Sequence, residues 1–228
     1  MDFSYSSMIK IGKTTLKPNK VICLGLNYKD HIEETNREVP EEPLLFNKTL
    51  NCLIGHNEPI VYPKILYDNR KFNRVDYEVE LAVIIGKEGK YISEDKAYEY
   101  IKGYTVFNDI TARKMQIKDI ASKRPWFKSK SFDTFGVIGP KIVDLEDPHN
   151  LNLKLTVNGE LKQSSNTKYL LFKIPYLIEY ISQFVTLNPD DIIATGTPSG
   201  IGPISPGDVV EASIDKIGTL RNEVILEE

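Results

Sequence analysis

The segment 76–87, with the sequence DYEVELAVIIGK, places the tightest constraint on how this chain can fold. Apolar residues alternate with Glu78 and Glu80 and then run without interruption from Leu81 to Ile85, which is typical of a β-strand that becomes buried on both faces. Residues two apart on a strand share a face, so the two glutamates are neighbours. Two like charges at the mouth of a buried strand repel each other unless a counter-charge, such as a hard divalent cation with oxygen ligands, lies between them.

A third carboxylate follows at the end of the next predicted strand. The segment 103–109 has the pattern of a short strand that ends in Asp109, and a helix is predicted to begin soon after Thr111. Three carboxylates without a nearby cysteine or histidine favour Mg²⁺ or Mn²⁺ over Zn²⁺. The alternative is that Glu78 and Glu80 simply face water on an edge strand, and the residues alone leave both interpretations open.

A candidate general base follows the apolar strand predicted at 21–26. A short helix is expected there, with Asn27 as its N-cap. His31 and Glu34 are three residues apart and therefore share a helix face. A carboxylate beside a histidine fixes the ring tautomer and stabilises the imidazolium, as a general base requires. An incidental charge pair on a surface helix is the alternative.

The charge pattern limits the classes of partner. The segment 114–130 is basic and contains Trp126 and Phe127, a combination also found in single-stranded nucleic-acid binders. The net charge of −3 argues against that reading and against binding to acidic membranes, so the segment is interpreted as a positive wall for a small anionic substrate. The chain contains no long apolar run, and residues 1–5 do not resemble a signal peptide, which favours a cytoplasmic protein.

Further along the chain, capping and turn residues predict a helix, a hairpin and a loop. Residues 94–101 are expected to form a helix that starts at Ser93. The pair Asn158-Gly159 predicts a β-hairpin turn, and a polar loop is expected at 162–168. Many short strands with few helices between them favour a β-rich α+β fold.

Four segments, 76–87, 103–113, 130–133 and 191–200, resemble the fumarylacetoacetate hydrolase family, and the similarity runs in order from about Val21 to Val224. This resemblance implies a mixed β-roll with a few short helices, of the type found in that family's C-terminal domain, and a homodimer. We therefore expect a single catalytic domain over 1–228, with an arm or hairpin at 1–20 and the family core at 21–225.

The resemblance also implies roles for individual residues. Glu78, Glu80 and Asp109 occupy the positions that bind Mg²⁺ or Mn²⁺ in the family. The pattern from Gly25 to Glu34 resembles the acylpyruvase branch, in which the His–Glu pair activates water. Catalytic roles are therefore implied for three residues, His31, Glu34 and Lys130. Substrate-binding roles are implied for Lys48, Arg113, Gln116 and Thr197.

The expected activity is a Mg²⁺- or Mn²⁺-dependent reaction of a small 2-oxo acid through a metal-stabilised enolate. Hydrolysis of the C–C bond of acylpyruvates and decarboxylation of oxaloacetate are the first expectations. The alternatives are 2-hydroxyhepta-2,4-diene-1,7-dioate isomerase, 5-oxopent-3-ene-1,2,5-tricarboxylate decarboxylase and oxaloacetate tautomerase. A metal-stabilised protein that binds a small anion without turnover is the non-enzymatic alternative. No nucleic-acid or membrane partner is expected.

Overall fold

The computed structural model describes residues 8–34 and 37–228, and strands predominate in these residues. The strands are β1 (Ile9–Ile11), β2 (Thr14–Leu16), β3 (Val21–Gly25), β4 (Leu44–Lys48), β5 (Leu53–Ile54), β6 (Ile60–Tyr62), β7 (Val75–Tyr77), β8 (Val79–Ile85), β9 (Ile101–Asp109), β10 (Thr111–Ala112), β11 (Gly136–Val143), β12 (Asn152–Val157), β13 (Glu160–Asn166), β14 (Ile192–Ala194), β15 (Gly202–Ile204), β16 (Val209–Ile214) and β17 (Gly218–Leu226). The predicted β-rich α+β fold is confirmed.

The α-helices in the described residues are short and lie between the strands. They are α1 (Lys29–Glu34), α2 (Lys64–Tyr67), α3 (Arg113–Ala121), α4 (Phe127–Lys130) and α5 (Ile174–Phe184). Short 3₁₀ helices lie at Leu50–Cys52, Glu94–Tyr100 and Thr167–Tyr169. None of the helices in this part of the chain is long and apolar enough to cross a membrane.

Strand β8 lies inside a seven-stranded mixed sheet with the order β4-β3-β14-β8-β9-β11-β5. Its neighbours β14 and β9 both run antiparallel to it, and every residue of β8 is buried. Leu81 and Val83 face the main hydrophobic core, whereas Ala82 faces a second core that the β1–β2 hairpin covers. The apolar run of β8 is therefore required on both faces, as its sequence pattern predicts.

Two smaller sheets flank this central sheet. A five-stranded sheet has the order β13-β12-β16-β17-β6, and a three-stranded sheet has the order β10-β7-β15. Strand β7 ends at Tyr77 and β8 begins at Val79, so the chain passes from the small sheet to the central sheet at Glu78. This crossing places the first glutamate at the junction of two sheets.

Three local predictions contain errors. The helix predicted after Ser93 is present, with Ser93 in the N-cap position, but it is a 3₁₀ helix of residues 94–100 without a side-chain cap, and β9 already begins at Ile101. The hairpin after Asn158-Gly159 is present, but β13 continues to Asn166 where a polar loop was expected. The cause is pairing: β13 is held along its length by β12, so tertiary hydrogen bonds override the polar composition. Of the predicted N-terminal arm or hairpin, residues 1–7 lie outside the described part of the chain.

The third error concerns Asn27, which was expected to cap α1. Its side-chain amide instead donates to the carbonyl oxygens of Thr195 and Phe172, and its carbonyl oxygen accepts from the Phe172 backbone amide. Asn27 is fully buried, so these long-range partners satisfy an amide that has no access to water. Its role is to join the start of α1 to two distant segments.

Candidate active site

The three predicted metal-binding carboxylates come together at the crossing between β7 and β8. Strand β9 is antiparallel to β8, with Val79 opposite Asn108, and the Asp109 amide donates to the Glu78 carbonyl at 2.9 Å. This register brings Asp109 beside Glu78 and Glu80. One carboxylate oxygen from each of the three lies within 4.8 Å of the others, and all three side chains are buried.

Two buried lysines neutralise part of this charge. Lys48 Nζ lies 2.5 Å from Asp109 Oδ1 and also donates to the Ile110 carbonyl. Lys130 Nζ lies 2.6 Å from Asp109 Oδ2 and 3.0 Å from Glu78 Oε2. Burial opposes the charged form of Lys130, but the carboxylates of Asp109 and Glu78 outweigh it and raise its pKa. Lys130 therefore keeps its proton and presents a positive charge.

Glu80 is the carboxylate without such a partner. It is 1% exposed, and its Oε2 accepts a 2.8 Å hydrogen bond from the Gly196 amide. Within residues 8–34 and 37–228 no lysine or arginine forms an ion pair with it, and burial together with repulsion from Asp109 and Glu78 raises its pKa well above the usual range. A buried, uncompensated carboxylate beside two others is an all-oxygen donor set that fits a hard divalent cation.

Arg113 is held rigidly at the edge of this cluster. Its Nε donates to Asp76 Oδ2 at 2.8 Å, Nη1 donates to Gln116 Oε1 at 2.6 Å, and Nη2 donates to Glu78. Asp76 also binds Arg74 through both carboxylate oxygens. Sequence reasoning did not select Asp76 as a site residue, although it continues the period-two pattern of Glu78 and Glu80 in the opposite direction.

The predicted His–Glu pair forms on α1. His31 Nδ1 lies 3.0 Å from Glu34 Oε2, and Glu34 Oε1 accepts from the Gly200 amide at 3.0 Å. Burial raises the pKa of Glu34, but the hydrogen bonds from His31 and Gly200 outweigh this and lower it. Asp30 adds a further link, because its carboxylate accepts from the Ser199 hydroxyl at 2.9 Å. Helix α1 is thus attached to the loop 195–200.

The loop 195–200 contacts both the carboxylate cluster and α1. Gly196 has a φ of +95°, and a Cβ there would lie 2.9 Å from the Asn27 side chain, so the loop can approach Glu80 this closely only with glycine. Thr197 follows at 4% exposure, and its Oγ1 accepts from Gln163 Nε2 at 2.9 Å. Gln163 lies in the segment predicted as loop, so its role had no signal in the local sequence.

A cavity of about 400 Å³ connects these groups. Its polar lining comprises His31, Glu34, Glu78, Glu80, Arg113, Gln116, Lys130 and Thr197. Five large apolar residues of the lining, here named the apolar wall, are Leu44, Phe46, Ile117, Ile120 and Trp126, and the Phe46 ring lies beneath the Lys130 ammonium group. Two of the predicted site residues, Lys48 and Asp109, are missing from this lining. They bind each other, and the Lys48 ammonium group also donates to the Ile110 carbonyl oxygen.

The segment 114–130 contributes less positive charge to the cavity than predicted. Lys114 turns away to bind Asn73, and Lys118 lies over the ring of Phe72. Helical spacing on α3 instead turns Ile117 and Ile120 toward the cavity. The cations in the lining are Arg37, Arg74, Arg113 and Lys130, against the three carboxylates Glu34, Glu78 and Glu80. The lining therefore favours an anionic ligand.

The chain is similar to a known protein family over most of its length. Residues 20–225 match the family model described as the C-terminal domain of fumarylacetoacetate hydrolase. A mitochondrial oxaloacetate tautomerase from Xenopus laevis is 43% identical over 218 residues, which cover 91% of this chain and 66% of that protein.

Two solved structures extend the comparison. A 5-carboxymethyl-2-hydroxymuconate delta-isomerase from Mycobacterium smegmatis has a TM-score of 0.83 and 41% identity, covering 93% of this chain and 81% of that one. A fumarylpyruvate hydrolase from Pseudomonas aeruginosa, in complex with Mn²⁺ and pyruvate, has a TM-score of 0.88 and 29% identity, covering 100% of both chains. The similar proteins therefore include enzymes named for three types of reaction.

Proposed function

This chain belongs to the fumarylacetoacetate hydrolase family, and we propose that it is a Mg²⁺- or Mn²⁺-dependent enzyme that cleaves a C–C bond in a small 2-oxo acid. Hydrolysis of acylpyruvates is the first candidate reaction. One observation carries the proposal: the His31–Glu34 pair and the buried carboxylates Glu78 and Glu80 line the same cavity. A water-activating base beside a metal-binding cluster is the combination that C–C hydrolysis needs.

Glu78, Glu80 and Asp109 would hold the metal ion. When bound, the ion supplies a Lewis acid that polarises the 2-oxo group and stabilises negative charge developing at the adjacent carbon. The hydrolase similar to this chain was solved with Mn²⁺ and pyruvate, which supports both the metal class and the 2-oxo acid.

His31 is proposed to take the proton from the attacking water. A proton on Nδ1, donated to Glu34, leaves Nε2 as the basic nitrogen, and the lowered pKa of Glu34 keeps its carboxylate charged to stabilise the imidazolium. The Gly200 amide fixes the other oxygen of Glu34. The pair is thus held in one orientation by groups on two elements.

The remaining polar groups are proposed to bind and orient the substrate. Arg113, fixed by Asp76 and Gln116, offers a positive group beside the cluster, and Thr197 offers a hydroxyl in the same cavity. Lys130 keeps its proton and stabilises negative charge as it develops. Lys48, which lies outside the cavity lining, is proposed to act on the substrate only indirectly, by fixing Asp109.

Decarboxylation or tautomerisation of oxaloacetate is the second candidate. Both reactions need the same polarised 2-oxo acid, and neither needs an activated water. The similarity to an oxaloacetate tautomerase at 43% identity supports this candidate. The lining contains features that suit each candidate: the apolar wall suits an uncharged acyl group, whereas Arg37 and Arg74 suit a second carboxylate such as that of oxaloacetate.

The test is turnover of acetylpyruvate and oxaloacetate by metal-stripped protein, with and without Mg²⁺ or Mn²⁺. His31→Ala is compared with Glu33→Ala, a matched change at an exposed position of the same helix. Metal-dependent acetylpyruvate cleavage that only His31→Ala abolishes supports hydrolysis. Conversion of oxaloacetate that survives His31→Ala, in excess of that by metal ion without protein, favours the second candidate. Absence of turnover with intact metal binding would favour an anion-binding protein.

The single catalytic domain over 1–228 and the homodimer are proposed on the family resemblance, and the cytoplasmic location is proposed on the sequence pattern. Light scattering coupled to size-exclusion chromatography measures the molar mass directly. A mass of about twice the 25.9 kDa of one chain is expected.

A further inference from the structure

Gln163 lies in the middle of β13 and is 1% exposed, yet its amide is fully hydrogen-bonded. Its Oε1 accepts from the Val79 backbone amide at 3.0 Å. Its Nε2 lies 2.9 Å from Thr197 Oγ1 and 3.0 Å from the Pro198 carbonyl oxygen. The side chain therefore connects the first residue of β8 to the loop 195–200.

These partners allow only one orientation of the amide. The Val79 N–H can only donate, so the atom facing it is the oxygen of Gln163. The Pro198 carbonyl can only accept, so the atom facing it is the nitrogen. Turning the amide over would set two donors against each other at Val79 and two acceptors against each other at Pro198, in a place without access to water.

The fixed amide determines whether the Thr197 hydroxyl donates or accepts in its hydrogen bond with Gln163. A hydroxyl can donate or accept, but Gln163 Nε2 can only donate, so Thr197 Oγ1 is the acceptor. The hydroxyl proton of Thr197 is then directed elsewhere, and no described residue accepts it. Thr197 lines the cavity, so the proton is available there as a hydrogen-bond donor.

We infer that Gln163 is a positioning residue that turns Thr197 into an obligate donor and so makes this end of the cavity select a carboxylate. A carboxylate accepts through either of its oxygens and matches an obligate donor in both of its orientations, whereas a ligand amide matches it only when its oxygen faces Thr197. This inference rests on the proposed function, in which Thr197 binds the substrate. It assigns the selectivity to a side chain that never touches the substrate.

The test is a double-mutant cycle on binding of pyruvate to the Mn²⁺-loaded protein, measured by titration calorimetry. Gln163→Met removes the donor to Thr197 without adding a charge, Gln163→Glu removes it only while its carboxyl group is ionised, and Thr197→Val removes the hydroxyl itself. Each single variant is expected to weaken pyruvate binding about tenfold or more, as for loss of a hydrogen bond to a charged group. In the Thr197→Val background, Gln163→Glu is expected to add little, because the two residues act as one unit.

Two controls separate this role from simple support of the fold. Ser164→Ala changes the exposed neighbour on β13 and is expected to bind pyruvate as the wild type does. Gln163→Met, which can neither donate to Thr197 nor carry a charge, is taken through the same cycle as Gln163→Glu, and Mn²⁺ affinity and the melting temperature are recorded for each variant. The neutral ligand pyruvamide is the second control. The Gln163 and Thr197 substitutions are expected to change its affinity less than they change the affinity for pyruvate.

The outcomes distinguish the inference from the proposed function. If wild type and Ser164→Ala bind pyruvate but the effects of Gln163→Glu and Thr197→Val simply add, Gln163 acts independently of Thr197 and the inference is overturned while the proposed function stands. If the Mn²⁺-loaded wild type does not bind pyruvate, both are overturned. Strong coupling of the two substitutions, with unchanged Mn²⁺ affinity, supports the inference.

Discussion

Nδ1 of His31 lies 3.0 Å from Oε2 of Glu34, three residues further along α1. The helix sets this spacing, but the Gly200 amide decides which rotamer Glu34 adopts, because it binds the second carboxylate oxygen. The pKa of Glu34 is lowered in the folded chain, so its contribution to stability is fully present above the ordinary glutamate pKa and is lost as the pH falls through the lowered value. The pair is therefore intact at neutral pH.

Replacing either member of this pair is expected to remove hydrolysis without removing the metal site. His31→Ala and Glu34→Gln should each lower kcat for acetylpyruvate by about 10²–10⁴-fold, the usual contribution of a general base. Because the two residues act together, the double variant should be little worse than the poorer single variant. Mn²⁺ affinity measured on the same preparations should stay unchanged, and a comparable loss of Mn²⁺ binding would contradict the assigned roles.

Metal binding is expected to release a proton from Glu80. Burial and the neighbouring carboxylates raise its pKa and so favour the protonated carboxyl group in the metal-free protein, whereas a bound cation favours the carboxylate. The apparent affinity for Mg²⁺ should therefore fall as the pH falls, by up to about tenfold per pH unit. Calorimetry in two buffers of different ionisation enthalpy counts the released protons. Equal proton release by wild type and Glu80→Gln would show that another group is responsible.

Removal of the metal is expected to destabilise the protein measurably. A ligand at 100 times its Kd stabilises the folded state by about 2.7 kcal/mol. For a chain of this length that corresponds to a melting temperature higher by roughly 5–10 °C. The measurement is thermal unfolding with Mn²⁺ and with excess EDTA. Asp109→Asn should show almost no difference between the two conditions, and a full shift in that variant would place the ion elsewhere.

Asp76 and Arg74 are paired, but their removal is expected to have unequal effects. Asp76 is fully buried and also anchors Arg113, so Asp76→Asn leaves a buried guanidinium short of a counter-charge and should cost about 3–5 kcal/mol of stability. Arg74 has a side chain that is 41% exposed, and Arg74→Met should cost less than about 1 kcal/mol. Chemical denaturation measures both. Equal losses would mean that the Asp76–Arg113 contact contributes nothing beyond the surface pair.

The alternation of residues along a β-strand was enough to predict part of the site, namely the two neighbouring glutamates and the buried strand that follows them. Glu78 and Glu80 share a face because they are two residues apart, and the apolar run after them requires burial between two neighbouring strands. Only the structure shows the antiparallel register that brings Asp109 beside them. Local pattern and long-range pairing thus contribute separate parts of the cluster.

The parts that could not be predicted depend on partners far away in the chain. Gln163 is 84 residues from Val79, and a polar stretch reads locally as a loop even when a neighbouring strand pairs with it. Asparagine is a common N-cap residue, but the side-chain amide of Asn27 donates to the carbonyl oxygens of Thr195 and Phe172 instead. The residue types at these positions are required by hydrogen-bond partners that only the folded chain brings close. The neighbouring sequence does not reveal those partners.

The division of the cavity lining between polar side chains and the apolar wall has a consequence for how such proteins can diversify. The polar side chains come from several elements, among them β8, α1, α3, α4 and the loop 195–200, and many of them hydrogen-bond to one another. The apolar wall contains Ile117 and Ile120 from one face of α3, together with Trp126. Single substitutions in the apolar wall change the shape of the cavity without replacing any charged group of its lining. The ligand preference of this scaffold can therefore change in small mutational steps.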